Sequence, residues 1–143
     1  MSILTRRGRL ADRIVIARVA ALMVFEAATL AVASALHLSG SIQGRSAPFN
    51  AGHAGVAEAI IGAVLAAGAV VMFRAPARAR TAGLAATGFA IIGFLVGLNF
   101  TARGGHLPDV AYHITMLPVL IGSLIVLVRA GPSAREPAPR GES

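Results

Sequence analysis

The sequence predicts an all-α, polytopic membrane protein: four transmembrane helices in an antiparallel bundle, with both termini in the cytoplasm. Three observations lead there. Four apolar stretches, each close to the ~20 residues that cross a bilayer, fill most of the 143-residue chain. The composition is 56% hydrophobic and only 13% charged, with a mean hydropathy of +0.75, where a soluble domain has roughly 45–50% apolar and 25% charged residues. The thirteen basic residues, all arginine, lie between or beyond the stretches except Arg18, and mostly on one side.

Residues 1–13 form a basic segment with Arg6, Arg7, Arg9 and Arg13. The first span is expected over 14–38, with Arg18 near enough to its start to snorkel to the interface. Basic residues ahead of an apolar run containing Ala33-Ser34-Ala35 also invite a secretory signal reading. The run exceeds the usual ~7–15 apolar residues and contains Glu26, so a retained helix is expected. The Arg6-Arg7 pair raises twin-arginine export, but nothing after it reads as a folded soluble cargo.

A polar loop with Pro48 and Asn50 leads to the second span, 53–73. A short basic connection carrying Arg74, Arg78 and Arg80 leads to the third, 81–101. Gly104, Gly105 and Pro108 mark a tight turn before the fourth, 110–128, which contains Pro118 and the kink it can impose. One transmembrane domain over 14–129 therefore accounts for the body of the chain. The tail 130–143, with Pro132, Pro137 and Pro139, reads as disordered and cytoplasmic.

Arginine placement sets the orientation. Arg6, Arg7, Arg9, Arg13, Arg18, Arg74, Arg78, Arg80, Arg129, Arg135 and Arg140 fall on one side, eleven in all, against Arg45 and Arg103 on the other. The positive-inside bias puts the eleven in the cytoplasm. The same reading accounts for the +7 formal charge without nucleic acid, which is not an expected partner. Absence of cysteine excludes disulfides, thiolate catalysis and iron–sulfur ligation.

Lipid gives helices no hydrophobic reason to associate, so small residues must let backbones approach. Ala59, Ala63 and Ala67 recur every fourth residue on the second span, with Gly62 and Ala66 beside them, and Gly93 and Gly97 form a GxxxG step on the third. Both are read as packing surfaces within the chain, ahead of a dimerisation face.

The polar residues of the spans gather toward the outer side. His37 closes the first span, His53 and Glu58 open the second, Asn99 ends the third, and Asp109, Tyr112 and His113 begin the fourth. His106 sits in the adjoining loop. Asp109 and His113 are four apart and share a helix face. Glu26 and His37 are eleven apart, which returns to within about 20° on a regular helix. If His37 faces inward, Glu26 does too. Glu58 lies roughly 140° around its helix from His53, which argues against one shared centre.

Three chemical readings fit this layer. Apolar walls with Glu58, Asn99, Tyr112, His113 and His37 as head-group partners suit an outward-facing pocket for a lipid-like or quinone-like molecule. Imidazole and carboxylate donors from His37, His53, Asp109 and His113 suit a divalent metal, though their spacing matches no metal motif. The same groups can instead hydrogen-bond between helices and set their register. Glu26 lies about 12 Å beyond Arg18, where an ionised carboxylate is costly. A protonated, hydrogen-bonded state is preferred for it, and it is the candidate for proton handling.

The second span, with Ala57-Glu58, Ile61-Gly62 and Ala67-Gly68, is similar to the Glu-then-Gly pattern in the second helix of DoxX-like membrane proteins. Four spans, cytoplasmic termini and small size also resemble that family. The resemblance implies a quinone-related or accessory role, with Glu58 as a pocket carboxylate. The segment Asp109-Val110-Ala111-Tyr112-His113 has no counterpart in the pattern, so only Glu58 is carried over. The expected protein is a ligand-binding or accessory component of a bacterial inner membrane. The alternative is a small transporter or redox-complex subunit using Glu26 and the histidines for proton or metal handling. Membrane lipids are the expected partners, with self-association or a larger membrane complex as further candidates. No nucleophile–base pair, nucleotide loop or secure metal motif is present, so no enzymatic activity is expected.

Overall fold

A computed structural model describes residues 3–130 of the chain. They form four helices: α1 (Ile3–Leu38), α2 (Ala51–Arg74), α3 (Ala79–Gly104) and α4 (Leu107–Arg129), with a 3₁₀ turn at Pro76–Arg78 between α2 and α3. No strand occurs among the described residues. All four are long and apolar enough to cross a bilayer, which is the build of a multi-pass membrane protein. Consecutive helices run antiparallel and pack α1 on α2, α2 on α3 and α3 on α4. The expected disordered tail lies outside the described residues, apart from Ala130.

Local chemistry sets each helix end. Asn50 caps α2, its side-chain oxygen accepting from the His53 amide at 3.0 Å. Pro76 follows directly on the α2 C-cap, Ala75, and begins the 3₁₀ turn. Pro108 lies in the first turn of α4, where a missing N–H costs nothing, and Asp109 complements the positive helix terminus there. At the opposite end, Arg80 Nε and Nη2 donate to the Leu127 and Val128 carbonyls at 2.9 and 3.2 Å, tying the start of α3 to the end of α4.

The helices exceed the expected spans. α1 begins at Ile3 instead of residue 14, and α3 and α4 leave only Gly105 and His106 between them. Hydropathy locates the part of a helix that lipid requires, whereas backbone hydrogen bonding carries the helix on through polar residues. α4 also continues through Pro118.

The exterior is apolar. Val32, Ile92 and Leu107 are 61–69% exposed, while the interior holds Met23, Leu30, Leu65, Phe94, Leu120 and Leu127. α1 and α2 approach closely at Gly62, where a Cβ would stand 3.3 Å from Leu30 Cβ and 3.4 Å from the Ala27 carbonyl oxygen. The alanine stripe is a correction: Ala59, Ala63 and Ala67 are exposed, and the packed face of α2 carries Gly55, Glu58, Ile61, Gly62, Leu65 and Gly68. Spacing alone could not separate two faces of a helix that is small and apolar all round. Gly93 and Gly97 serve different neighbours, Ile61 on α2 and His113 on α4.

Candidate functional site

At the end of the bundle away from Arg74, Arg80 and Arg129, α1, α2 and α4 bring three ionisable side chains together. His37 Nδ1 lies 2.8 Å from Glu58 Oε2, and His37 Nε2 lies 3.4 Å from Asp109 Oδ2. The His37 residue is 3% exposed, Glu58 7% and Asp109 8%. A ring protonated on both nitrogens donates to both carboxylates, whereas a ring with one proton donates to one of them. The longer contact exceeds the ordinary N–H···O range and is the weaker of the two.

Neighbouring groups hold this bridge in place. Ser34 Oγ donates to the Gly55 carbonyl at 2.7 Å, fixing α1 against α2 one turn below His37. Phe49 packs on the His37 ring at 5.8 Å between centroids. The 39–50 loop that carries Phe49 is itself pinned, because the Arg45 and Ser46 amides donate to the Gly104 carbonyl and Arg45 Nε donates to that of Gly105.

One turn along α4 from Asp109, His113 has a different arrangement. Its Nδ1 lies 2.8 Å from the Asp109 carbonyl oxygen, which can only accept, so Nδ1 carries the proton. The ring packs on Phe94 at 5.1 Å. Nε2 points at Gly97, where a Cβ would stand 2.5 Å away. Among the described residues, Nε2 has no hydrogen-bond partner.

His113 and Glu58 both line a cavity of about 470 Å³ between α2 and α3. Its inner wall includes Leu30, Ile61 and Phe94, and its outer rim Ile60, Phe89, Ile92, Val96 and Phe100. Those rim residues are 43–65% exposed, so the cavity opens sideways, toward the surface that faces acyl chains in a bilayer. Ile61 meets Gly93. Glu58 and Gly97 lie three and four residues from that contact toward the loop end, so at 1.5 Å per residue Glu58 and His113 sit at about the same level. Asn50, His53 and Thr101 line the mouth nearer the loop.

The expected site is therefore assembled in part. His37, Glu58 and Asp109 meet, and His113 joins Glu58 in the cavity. Tyr112 turns the other way: its hydroxyl meets Thr29 Oγ1 at 2.8 Å, and that hydroxyl donates to the Glu26 carbonyl, so Tyr112 is the donor to Thr29. Asn99 is exposed and outside the cavity, because it lies about 200° around α3 from Gly97. The metal set His37, His53, Asp109 and His113 does not converge. Among the described residues no three such side chains gather as ligands. Exposed His53 stands apart at the mouth, His37 is engaged by carboxylates on both sides, and His113 Nδ1 is held by the backbone. Glu26 does face inward with His37, as their spacing requires, and is fully buried. Among the described residues neither of its oxygens has a hydrogen-bond partner, contrary to the bonded state expected for it, and the same holds for Thr87 Oγ1 and Ser123 Oγ.

Gly97 and Phe49 were not singled out as site residues. The GxxxG step flagged Gly97 as a place of close approach, though not as the seat of a histidine. Nothing local marked Phe49. Fold and site together define a four-helix, membrane-spanning type of protein with a laterally open, mostly apolar cavity. Comparison with protein-family models, curated proteins and solved structures gives no match for the chain.

Proposed function

We propose that the protein binds a lipid-like or quinone-like molecule in the cavity between α2 and α3, as a ligand-binding or accessory component of a bacterial inner membrane. The observation that carries this reading is the sideways opening onto the lipid-facing surface, with the polar side chains of Glu58 and His113 set in a mostly apolar wall below the mouth. A cavity of about 470 Å³ accommodates a ring or glycerol-sized head. The apolar tail would leave through the rim into the bilayer. The resemblance of the second helix to DoxX-like proteins supports a quinone-related role and the choice of Glu58.

Mass spectrometry of the intact protein and of its lipid extract tests the proposal. Wild-type protein is expected to retain a stoichiometric amphipathic molecule. Gly97→Ala, whose new methyl displaces His113 Nε2, should lower its occupancy about tenfold, the effect of losing roughly one hydrogen bond at 1.4 kcal/mol. Asn99→Ala faces outward and should leave occupancy unchanged. Equal occupancy in wild type and Gly97→Ala would remove the cavity from consideration.

The arginine distribution supports an orientation with both termini in the cytoplasm and the cavity near the external face. The chain contains no cysteine, so single-cysteine variants report cleanly. Gln43→Cys in the 39–50 loop should react with an impermeant maleimide from outside the cell, and Ala77→Cys only after permeabilisation. The reverse labelling pattern would turn the bundle over.

The alternative, a transporter or redox subunit passing protons through Glu26, draws on one observation: a fully buried carboxyl with both oxygens unpartnered.

A further inference from the structure

We infer that the cavity selects a head group that donates hydrogen bonds, a hydroxyl, over one that only accepts them. This rests on the ligand-binding reading above and sharpens it to a chemical class. The polar atoms at the level of Glu58 and His113 are acceptors. His113 commits its Nδ1 proton to the Asp109 carbonyl. The ring packs on Phe94 and has no carboxylate hydrogen-bonded to it, so it is neutral and presents a lone pair at Nε2. Glu58 meets His37 through Oε2, and in its carboxylate form Oε1 is a second acceptor.

Donors are spent or placed elsewhere. Thr101 Oγ1 donates to the Gly97 and Leu98 carbonyls. The free amide protons of Asn50 and the ring of His53 stand at the mouth, on exposed residues beside the loop. Below Glu58 the wall is Leu30, Ile61, Phe89, Ile92 and Phe94, with no polar side chain.

A carbonyl-only head at this level would set acceptor against acceptor, leaving buried polar atoms on both sides unpaired. That costs more than a hydrogen bond returns. A hydroxyl pairs with Glu58 Oε1, His113 Nε2 or both. Sites built to hydrogen-bond a hydroxyl reject analogues lacking it far more strongly than apolar pockets reject a change of shape. Two membrane molecules offer this chemistry: the phenolic hydroxyls of a hydroquinone, and the free glycerol hydroxyl of a diacylglycerol.

The test is equilibrium binding to delipidated full-length protein in nanodiscs, under anaerobic conditions, with matched probes. One set is a short-prenyl hydroquinone, its bis-methyl ether and the corresponding quinone. The other is a dioctanoylglycerol and its methyl ether. In at least one set the free hydroxyl form should bind tighter than the blocked or carbonyl form by about tenfold or more, and the set that does so names the source. In His113→Leu and Gly97→Ala the preference should fall to about threefold or less, with the wild-type comparison standing even where a variant fails to fold. Equal affinity within every set overturns donor selection while leaving the cavity a binding site. No binding by any probe overturns the cavity reading as well, so the two failures are distinct.

Discussion

Replacing His37 by leucine is expected to destabilise the bundle by about 3–5 kcal/mol, the cost typical of removing one partner from a buried ionic network. Glu58 and Asp109 are 7% and 8% exposed and meet across the His37 ring, so the substitution leaves two nearly buried carboxylates facing an apolar side chain. Part of the loss should return when the stranded acid is neutralised. Glu58→Gln in the His37→Leu background should recover about 1–2 kcal/mol, because an amide leaves less charge to desolvate. Alone, Glu58→Gln should destabilise, since it weakens the 2.8 Å contact. The opposite signs in the two backgrounds make a double-mutant cycle, measured by reversible unfolding in mixed micelles. A cycle that closes additively would mean that His37 and Glu58 act independently, and their contact would be a coincidence of packing.

Glu26 should behave in the opposite way. Both of its oxygens are sealed from solvent without a hydrogen-bond partner, in a side chain that is 0% exposed. Glu26→Met keeps the length of the side chain and removes the unpaired polar atoms, so it should raise stability by about 1–3 kcal/mol. Glu26→Gln substitutes one unpaired polar group for another and should gain little. Loss of stability in Glu26→Met would show that the carboxyl has an energetic partner in the membrane. A stabilised variant that loses ligand retention or proton-coupled activity would instead identify Glu26 as a residue kept at a cost to folding.

The architecture was legible because its cause is one-dimensional. A bilayer demands a minimum run of apolar residues, and such a run is visible without knowing what it touches. Side-chain direction was legible only where two polar residues shared a helix. The eleven-residue spacing of Glu26 and His37 predicted that the two share a helix face, and both are buried. The 140° separation of His53 and Glu58 likewise argued against one shared centre, and His53 is exposed while Glu58 is buried. Rotation of a helix lacking such a pair was not legible. Asn99 and the Ala59, Ala63 and Ala67 stripe were placed on the wrong face because a helix apolar on every side carries no periodic signal. Contacts between helices lay further out of reach. That His37 would lie between two carboxylates depends on the relative shift of α1, α2 and α4, which glycine positions such as Gly62 set through backbone approach.

The rim of Ile60, Phe89, Ile92, Val96 and Phe100 has a consequence for what saturation means in this protein. A cavity entered from the side draws on molecules dissolved in the bilayer, whose aqueous concentration is negligible. Its occupancy is then governed by the mole fraction of that molecule among the surrounding lipids. Dilution of the cells or of the buffer leaves that fraction unchanged. Under the proposed ligand-binding reading, a shift in lipid composition would change it at once, and occupancy would follow the membrane around the protein.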